Sequence, residues 1–207
     1  MFHVKQLAGR PELAVLNVSR ETEQRLEAYV ALLETWSERI NLVSRHDLAA
    51  IWPRHIIDSL QLAPLIPPGL SHAIDFGSGA GFPGLILAIA TGIQFHLIES
   101  DQRKSAFLRE AARITAAPAI IHPIRIETAK LAPAPLITAR ALAPLVRLLP
   151  LAAPLLATNG ECLFLKGAQA QAELDEARQH WHMDVHRHES RTSPDATILQ
   201  IRDLRHV

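Results

Sequence analysis

Cysteine is almost missing from this sequence. With Cys162 alone among 207 residues, no intrachain disulfide and no cysteine-rich zinc module can form. Aromatic residues make up only 5%, so the core has to be aliphatic and no stacking platform for single-stranded nucleic acid is evident. Net charge is missing too: 21 Lys and Arg balance 21 Asp and Glu, which excludes an overall basic field drawn to any polyanion. Binding to nucleic acid would have to come from a local patch. The longest apolar run, Ala141 to Ala157, is broken by Arg147 and by prolines 144, 150 and 154, and falls short of the roughly 20 residues that span a bilayer. The first residues, MFHVKQLAGRPELAVL, hold no uninterrupted apolar segment and do not read as a secretory signal, so a cytoplasmic location without membrane association is expected. What is present is globular in composition: 48% hydrophobic and 20% charged, in a length suited to one ordinary domain with a modest extension.

Ser19 can cap a helix with Glu21 and Glu23 in its first turn and Leu26, Tyr29, Val30, Leu33, Trp36 and Ile40 at helical spacing. Asn41 to Asp47 reads as a turn, and Pro53 opens a second helix that prolines 64, 67 and 68 with Gly69 bring to an end. Residues 1–70 are therefore expected to form a helical N-terminal region. From residue 71 to 207 short apolar runs alternate with helical patterns: strands at 73–76, 95–98, 119–122, 136–138, 162–165 and 197–201, and helices at 84–90, 104–115 and 168–180. That alternation predicts an α/β domain with a doubly wound, mostly parallel, Rossmann-like sheet. Trp36, Trp52 and Trp181 are expected to be packing residues, and Cys162 a buried core residue within its strand.

The segment Ala73-Ile74-Asp75-Phe76-Gly77-Ser78-Gly79-Ala80-Gly81-Phe82-Pro83-Gly84 runs an apolar strand into a glycine-rich turn and then a helix. Glycines allow a sharp turn and a close ligand approach, and the helix start offers free N–H groups. Glu99 closes the next strand 22 residues after Gly77, where a carboxylate can accept from a ribose diol. An adenosine-bearing cofactor is the expectation. Residues 79–84 are a literal GxGxxG and admit a dinucleotide reading. Counting from Gly77, the first residue after the strand, places Phe82 at the third position instead, and Asp75 before such a turn suits a cofactor with a cationic amino-acid moiety.

Further pieces join this turn: Trp36 with Asn41-Leu42, Arg54-His55 followed by Asp58-Ser59, Lys104 with Phe107-Leu108, Arg125-Ile126-Glu127, Arg140-Ala141 and Lys166-Gly167. In that order, from residue 36 to 167, the chain resembles the bacterial 16S ribosomal RNA guanine-N7 methyltransferase G family (RsmG, formerly glucose-inhibited division protein B). The resemblance implies a class I methyltransferase fold with S-adenosylmethionine as cofactor, held by Asp75, Gly77, Gly79, Phe82, Glu99, Ile126 and Glu127, with Arg140 completing the cofactor or the substrate side. It implies small-subunit ribosomal RNA as partner, free or within the assembled subunit or its precursor, contacted by Arg54, His55, Lys104 and Lys166, and a monomeric enzyme. The chain departs from the family pattern at Ala139, where serine is usual, and at Pro135, where aspartate is common.

Methyl transfer from a sulfonium is an in-line displacement, so alignment is the main demand. Guanine N7 carries a free lone pair and needs no proton removed, so no general base is required and no catalytic side chain is assigned. The region after the fourth strand, Thr138-Ala139-Arg140, lacks the Asn/Asp-Pro-Pro-aromatic loop common in amine methylation. Five basic residues against one acid between Arg103 and Arg125 form a local excess of four, either a solvated helix face or, with Arg54, His55 and Lys166, a phosphate-contacting strip. Histidines 180, 182, 186 and 188 are spaced for one face of a strand but make a weak metal signal, so no metal is expected. The competing functions are a methyltransferase of small molecules or proteins with the same cofactor site, and a non-catalytic ribosome-associated module.

Overall fold

A computed structural model describes residues 11–207; the first ten residues of the leader reading lie outside the described residues. Seven strands, β1 (His72–Phe76), β2 (Gln94–Ile98), β3 (Ala119–His122), β4 (Ala134–Arg140), β5 (Leu156–Lys166), β6 (Trp181–Glu189) and β7 (Thr197–His206), form one sheet in the order β3-β2-β1-β4-β5-β7-β6. β7 is antiparallel to β5 and β6, while the other neighbours are parallel. The chain moves outward from β1 through β2 to β3 and then returns to β4 on the other side of β1. The carboxyl ends of β1 and β4 therefore flank the switch point where open α/β sheets bind ligands.

The helices are α1 (Pro11–Val15), α2 (Arg20–Ser37), α3 (Arg45–Ala49), α4 (Asp58–Leu60), α5 (Gly84–Thr91), α6 (Gln102–Ile114), α7 (Leu145–Ala152) and α8 (Ala170–Ala177). Ser19 caps α2 as its sequence predicts, its hydroxyl accepting from the Thr22 N–H at 3.1 Å. Alternation along each strand divides the core between the two faces. Ala73, Phe95 and Leu97 join Leu26, Leu33, Ile56, Leu85 and Phe107 from the helices on one face. Ile74, Phe76 and Ile98 meet Leu148, Leu149 and Leu174 from α7 and α8 on the other. The N-terminal helices thus share a core with the sheet.

Several elements differ from the sequence expectation, each for a local reason. Residues 52–57 form a π-helical turn, with Pro53 at its start where a missing N–H costs nothing, and lead directly into α4. α3 lies within and just beyond the stretch read as a turn, capped by Ser44, whose hydroxyl accepts from the Asp47 N–H. α7 forms despite an internal Pro150, because Leu145, Leu148, Leu149 and Ala152 bury one continuous face. The helix expected over 168–180 is shorter, and β6 follows it, with Trp181 and Met183 turned inward and charged neighbours outward along a ladder with β7.

Candidate functional site

β1 ends at Phe76, and the next residue, Gly77, turns with φ at +62°; Gly79 and Gly81 follow at +57° and +104°, a left-handed path that side chains with a Cβ resist. The Ser78 N–H donates to the Ile98 carbonyl at 3.1 Å, holding the turn beside the end of β2. Glu99 completes the arrangement. Its Oε2 accepts from the Gly79 N–H and its Oε1 from the Asp101 N–H, both at 2.8 Å, so one carboxylate ties the turn to the start of α6. Each oxygen retains a second lone pair, which keeps Glu99 able to accept from a diol.

Asp75 is fully buried beneath this turn. The Thr138 hydroxyl on β4 donates to its Oδ1 at 2.6 Å, while Oδ2 is buried without a hydrogen-bond partner. Burial pushes its carboxyl up to about 6, neighbouring hydroxyl and N–H dipoles only partly offsetting. Gly84, the first residue of α5, lies directly against it: a Cβ there would stand 2.4 Å from the Asp75 Cβ. Asp75 therefore shapes the site from underneath, and Gly84 is required for helix and strand to approach. Among the described residues the features fit a cofactor of the expected kind: a glycine cradle open at Gly79, an acceptor at Glu99 and a buried, partnerless carboxylate oxygen below.

Across the crevice, Arg140 is the last residue of β4. Its Nη1 donates to Asp58 Oδ2 and to the Arg54 carbonyl, each at 3.1 Å, and its Nη2 to His55 Nδ1 at 2.6 Å. The guanidinium lies 4.8 Å from the centre of the Phe82 ring, and the His55 ring stacks on the same phenyl at 4.8 Å with 20° between planes. Because His55 Nδ1 accepts from an arginine, its proton sits on Nε2, which is buried with no partner. Burial first, and the Arg140 charge second, hold the His55 pKa down to about 4. Phe82 thus joins the two sides, carried by the glycine turn yet covered by His55 and Arg140.

Asp58 is the hub behind this cluster. Its Oδ1 accepts from the Thr192 hydroxyl at 2.6 Å and from Gln61 Nε2 at 2.9 Å, and Gln61 Oε1 accepts from the Arg191 N–H at 2.7 Å. The loop between β6 and β7 is thereby pinned to the start of α4. The Arg-His-x-x-Asp-Ser pattern marked Asp58, but its partners lie some 80 and 130 residues away and left no sequence signal. Leu142 went unremarked as well, yet its Cδ1 would be 2.7 Å from a Cβ on Gly77, so it overhangs the turn from the β4 side. Ala139 sits buried in the apolar cluster, where a hydroxyl would need a partner.

The other predicted residues lie in varied settings. Ile126 and Glu127 occupy a 3-10 turn between β3 and β4, Ile126 against the core and Glu127 exposed. Lys104 is in the first turn of α6. Arg54 is exposed and pairs with Asp47 at 3.0 Å. Lys166 turns inward: its ammonium donates to Glu173 at 2.7 Å and to the Ala143 carbonyl at 2.6 Å, while Glu173 also accepts from the Leu145 N–H, so the pair braces the loop that carries Leu142. Arg113 is engaged by both oxygens of Glu110, which removes it from the free cations of the basic run. A cleft of about 570 Å³ opens beside Arg140, lined by Arg54, Asp58, Leu142, Lys166, Gly167 and Glu173 among others. Cys162 is fully buried, its thiol pushed well up by burial and by Glu161. In the histidine-rich strand, His182 Nε2 lies 3.3 Å from Asp203 and His188 Nε2 2.9 Å from Gln200 Oε1.

The sequence profile described as "GidB: rRNA small subunit methyltransferase G" matches residues 22–201, most of the chain. The chain belongs to this family. Its similarity to members is high throughout: it is 52% identical over 213 residues to ribosomal RNA small subunit methyltransferase G of Granulibacter bethesdensis, covering 100% of both chains. To the Gluconobacter oxydans protein of the same name it is 58% identical over 190 residues, covering 92% of this chain and 98% of the relative. Among solved structures, ribosomal protein L11 methylase of Lactobacillus delbrueckii aligns with a TM-score of 0.58 at 14% identity, covering 72% of this chain and 77% of the other. The structure of M. jannaschii TYW2 in complex with AdoMet gives a TM-score of 0.58 at 11% identity, covering 82% of this chain and 80% of the other. At such identities these neighbours establish that this family member has the Rossmann-like methyltransferase fold.

Proposed function

We propose that the chain transfers a methyl group from S-adenosylmethionine to N7 of a guanine in small-subunit (16S) ribosomal RNA, acting as a cytoplasmic monomer on the free RNA or on an assembled or precursor subunit. The observation that carries this reading is the juxtaposition, at the β1/β4 switch point, of a glycine turn tied to Glu99 and an arginine-lined cleft beside Arg140. Family membership agrees with it.

When bound, S-adenosylmethionine supplies an electrophilic methyl on a cationic sulfur. Gly79 leaves room for close approach while Gly77 lies under Leu142, Glu99 would accept from the ribose hydroxyls, and Ile126 and Glu127 would border the adenine. Asp75 sets a negative charge below the turn. Phe82 and Leu142 keep water from the space between the turn and β4, while Arg140, fixed by Asp58, offers a planar fork to a base oxygen or a phosphate. Arg54 and Lys104 meet the RNA backbone. His55 serves by holding Arg140 and Phe82, and Lys166 by bracing the Leu142 loop. N7 needs no base to deprotonate it, in keeping with a site whose histidine is held neutral as a hydrogen-bond acceptor.

The test is transfer of labelled methyl from S-adenosylmethionine to unmodified small-subunit RNA and subunits, followed by identification of the labelled base. The expected product is 7-methylguanosine at one position. Cofactor binding with no label in RNA would overturn the acceptor assignment.

A further inference from the structure

A second cleft lies on the same carboxyl edge of the sheet, away from Arg140, between the end of α2 and the start of α6. It measures about 260 Å³ and is lined by Thr35, Trp36, Arg39, Ile40, Arg103 and Ala106. Trp36 is half-buried, its ring meeting the edge of Phe107 at 5.7 Å and its remaining surface lining the cleft. The two arginines at the rim are exposed. Arg103 reaches only to Asp101, at 3.7 Å, and the Arg39 guanidinium has no partner among the described residues. A flat indole with two loosely held guanidinium groups is the chemistry that takes an unpaired nucleotide: the base lies on the aromatic, and its phosphates meet the cations.

The cleft is also physically joined to the site. Phe107 contacts Tyr29, Tyr29 contacts Phe82, and Phe82 carries His55 and Arg140, in ring-to-ring steps of 6.0, 5.9 and 4.8 Å. Tyr29 is fully buried and donates its hydroxyl to the Ala80 carbonyl within the glycine turn, so the row is anchored to the cofactor side. Trp36 therefore holds a fixed place relative to Arg140, as a second contact on the same strand of RNA requires.

We propose that the Trp36–Arg39–Arg103 cleft binds an unpaired nucleotide of the substrate RNA, outside the methylated base. The proposal depends on RNA being the acceptor, and it assigns Trp36 a binding role where packing alone was expected.

Cofactor-saturated parent protein and the variants Trp36→Leu, Trp36→Phe, Arg39→Gln and Arg103→Gln are compared on whichever RNA form the parent methylates. Trp36→Leu raises KM for RNA about tenfold with kcat and cofactor affinity unchanged, and Trp36→Phe restores most of it. Each arginine variant reduces the slope of log affinity against log salt by about 1. A single-stranded uridine oligonucleotide of about eight residues quenches tryptophan emission in the parent and not in Trp36→Phe. Unchanged KM and salt slope in all variants would overturn the proposal, as would a fall in kcat and melting temperature with KM intact, which would mark Trp36 as packing alone. Weaker binding to assembled subunits without oligonucleotide quenching would also overturn it, in favour of a protein partner. If the parent itself methylates no RNA, the proposed function fails first, a result separable from loss in the variants alone.

Discussion

The two walls of the crevice between β1 and β4 are made of different material. On the β1 wall the groups facing a ligand are mostly backbone, held in one shape by three glycines at positive φ and by one carboxylate, Glu99. On the β4 wall they are side chains: Arg140 depends on Asp58, His55 and Phe82, and Asp58 in turn on Thr192 and Gln61. A wall of backbone fails through sterics when a Cβ is added. A wall of coupled side chains fails through lost charge and hydrogen bonding, and leaves the fold standing.

The sharpest way to break the first wall is Gly84→Ala, whose new Cβ would lie 2.4 Å from Asp75 Cβ and 2.7 Å from Leu97 Cδ2. Overpacking of this kind costs about 3 kcal/mol or more, so a large drop in the urea midpoint is expected together with loss of cofactor binding. Gly79→Ala sharpens the contrast, because its Cβ meets only the Gly77 carbonyl oxygen, at 3.8 Å. It costs the positive-φ strain of about 1–2 kcal/mol, so calorimetry should find a folded protein with weakened cofactor binding.

For the second wall, Asp58→Asn removes the charge facing Arg140, in a pair with side chains 17% and 13% exposed. The expected loss is about 1–3 kcal/mol, read as a roughly 5- to 150-fold drop in methyl transfer with cofactor affinity nearly unchanged. Equal loss of cofactor affinity would show that the walls are not independent. The smallest effect belongs to Arg54→Gln, an exposed pair with Asp47: under about 1 kcal/mol of stability, with the salt slope of RNA binding lowered by about 1.

The walls also oppose each other in acid. His55 stays neutral in the fold with its pKa at about 4 against an ordinary 6.5, so the stability it contributes above 6.5 is lost as pH falls toward 4. Asp75 is raised from 3.8 to about 6, so its buried carboxyl favours the fold below that range and stability falls as pH rises from about 4 through 6. The opposing slopes cancel in part in the parent. Urea midpoints between pH 4 and 7 should therefore rise with pH in Asp75→Asn and fall with pH in His55→Gln.

The backbone wall was legible in the sequence, because glycines, the strand ending at Phe76 and Glu99 at the end of β2 each leave a local mark. So did the Ser19 cap and the apolar stripe of α2. The side-chain wall was legible only as isolated letters. Arg140 and His55 were singled out, but nothing in the spacing announced that they meet, or that Lys166 turns inward to Glu173. β6 was hidden for a different reason: one face is polar and rich in histidine, and its pairing with β7 supplies what its own sequence does not.

The pinning of the β6–β7 loop to Asp58 has a consequence in time as well as in space. A ribosome making this chain delivers Gly77 to Glu99 before Arg140 and well before Thr192, so the glycine turn has all of its own residues while Asp58 has only Gln61 of its three side-chain partners. Readiness for the acceptor comes last, and a chain cut short before residue 192 would lack a contact of the acceptor side while carrying every residue of the turn.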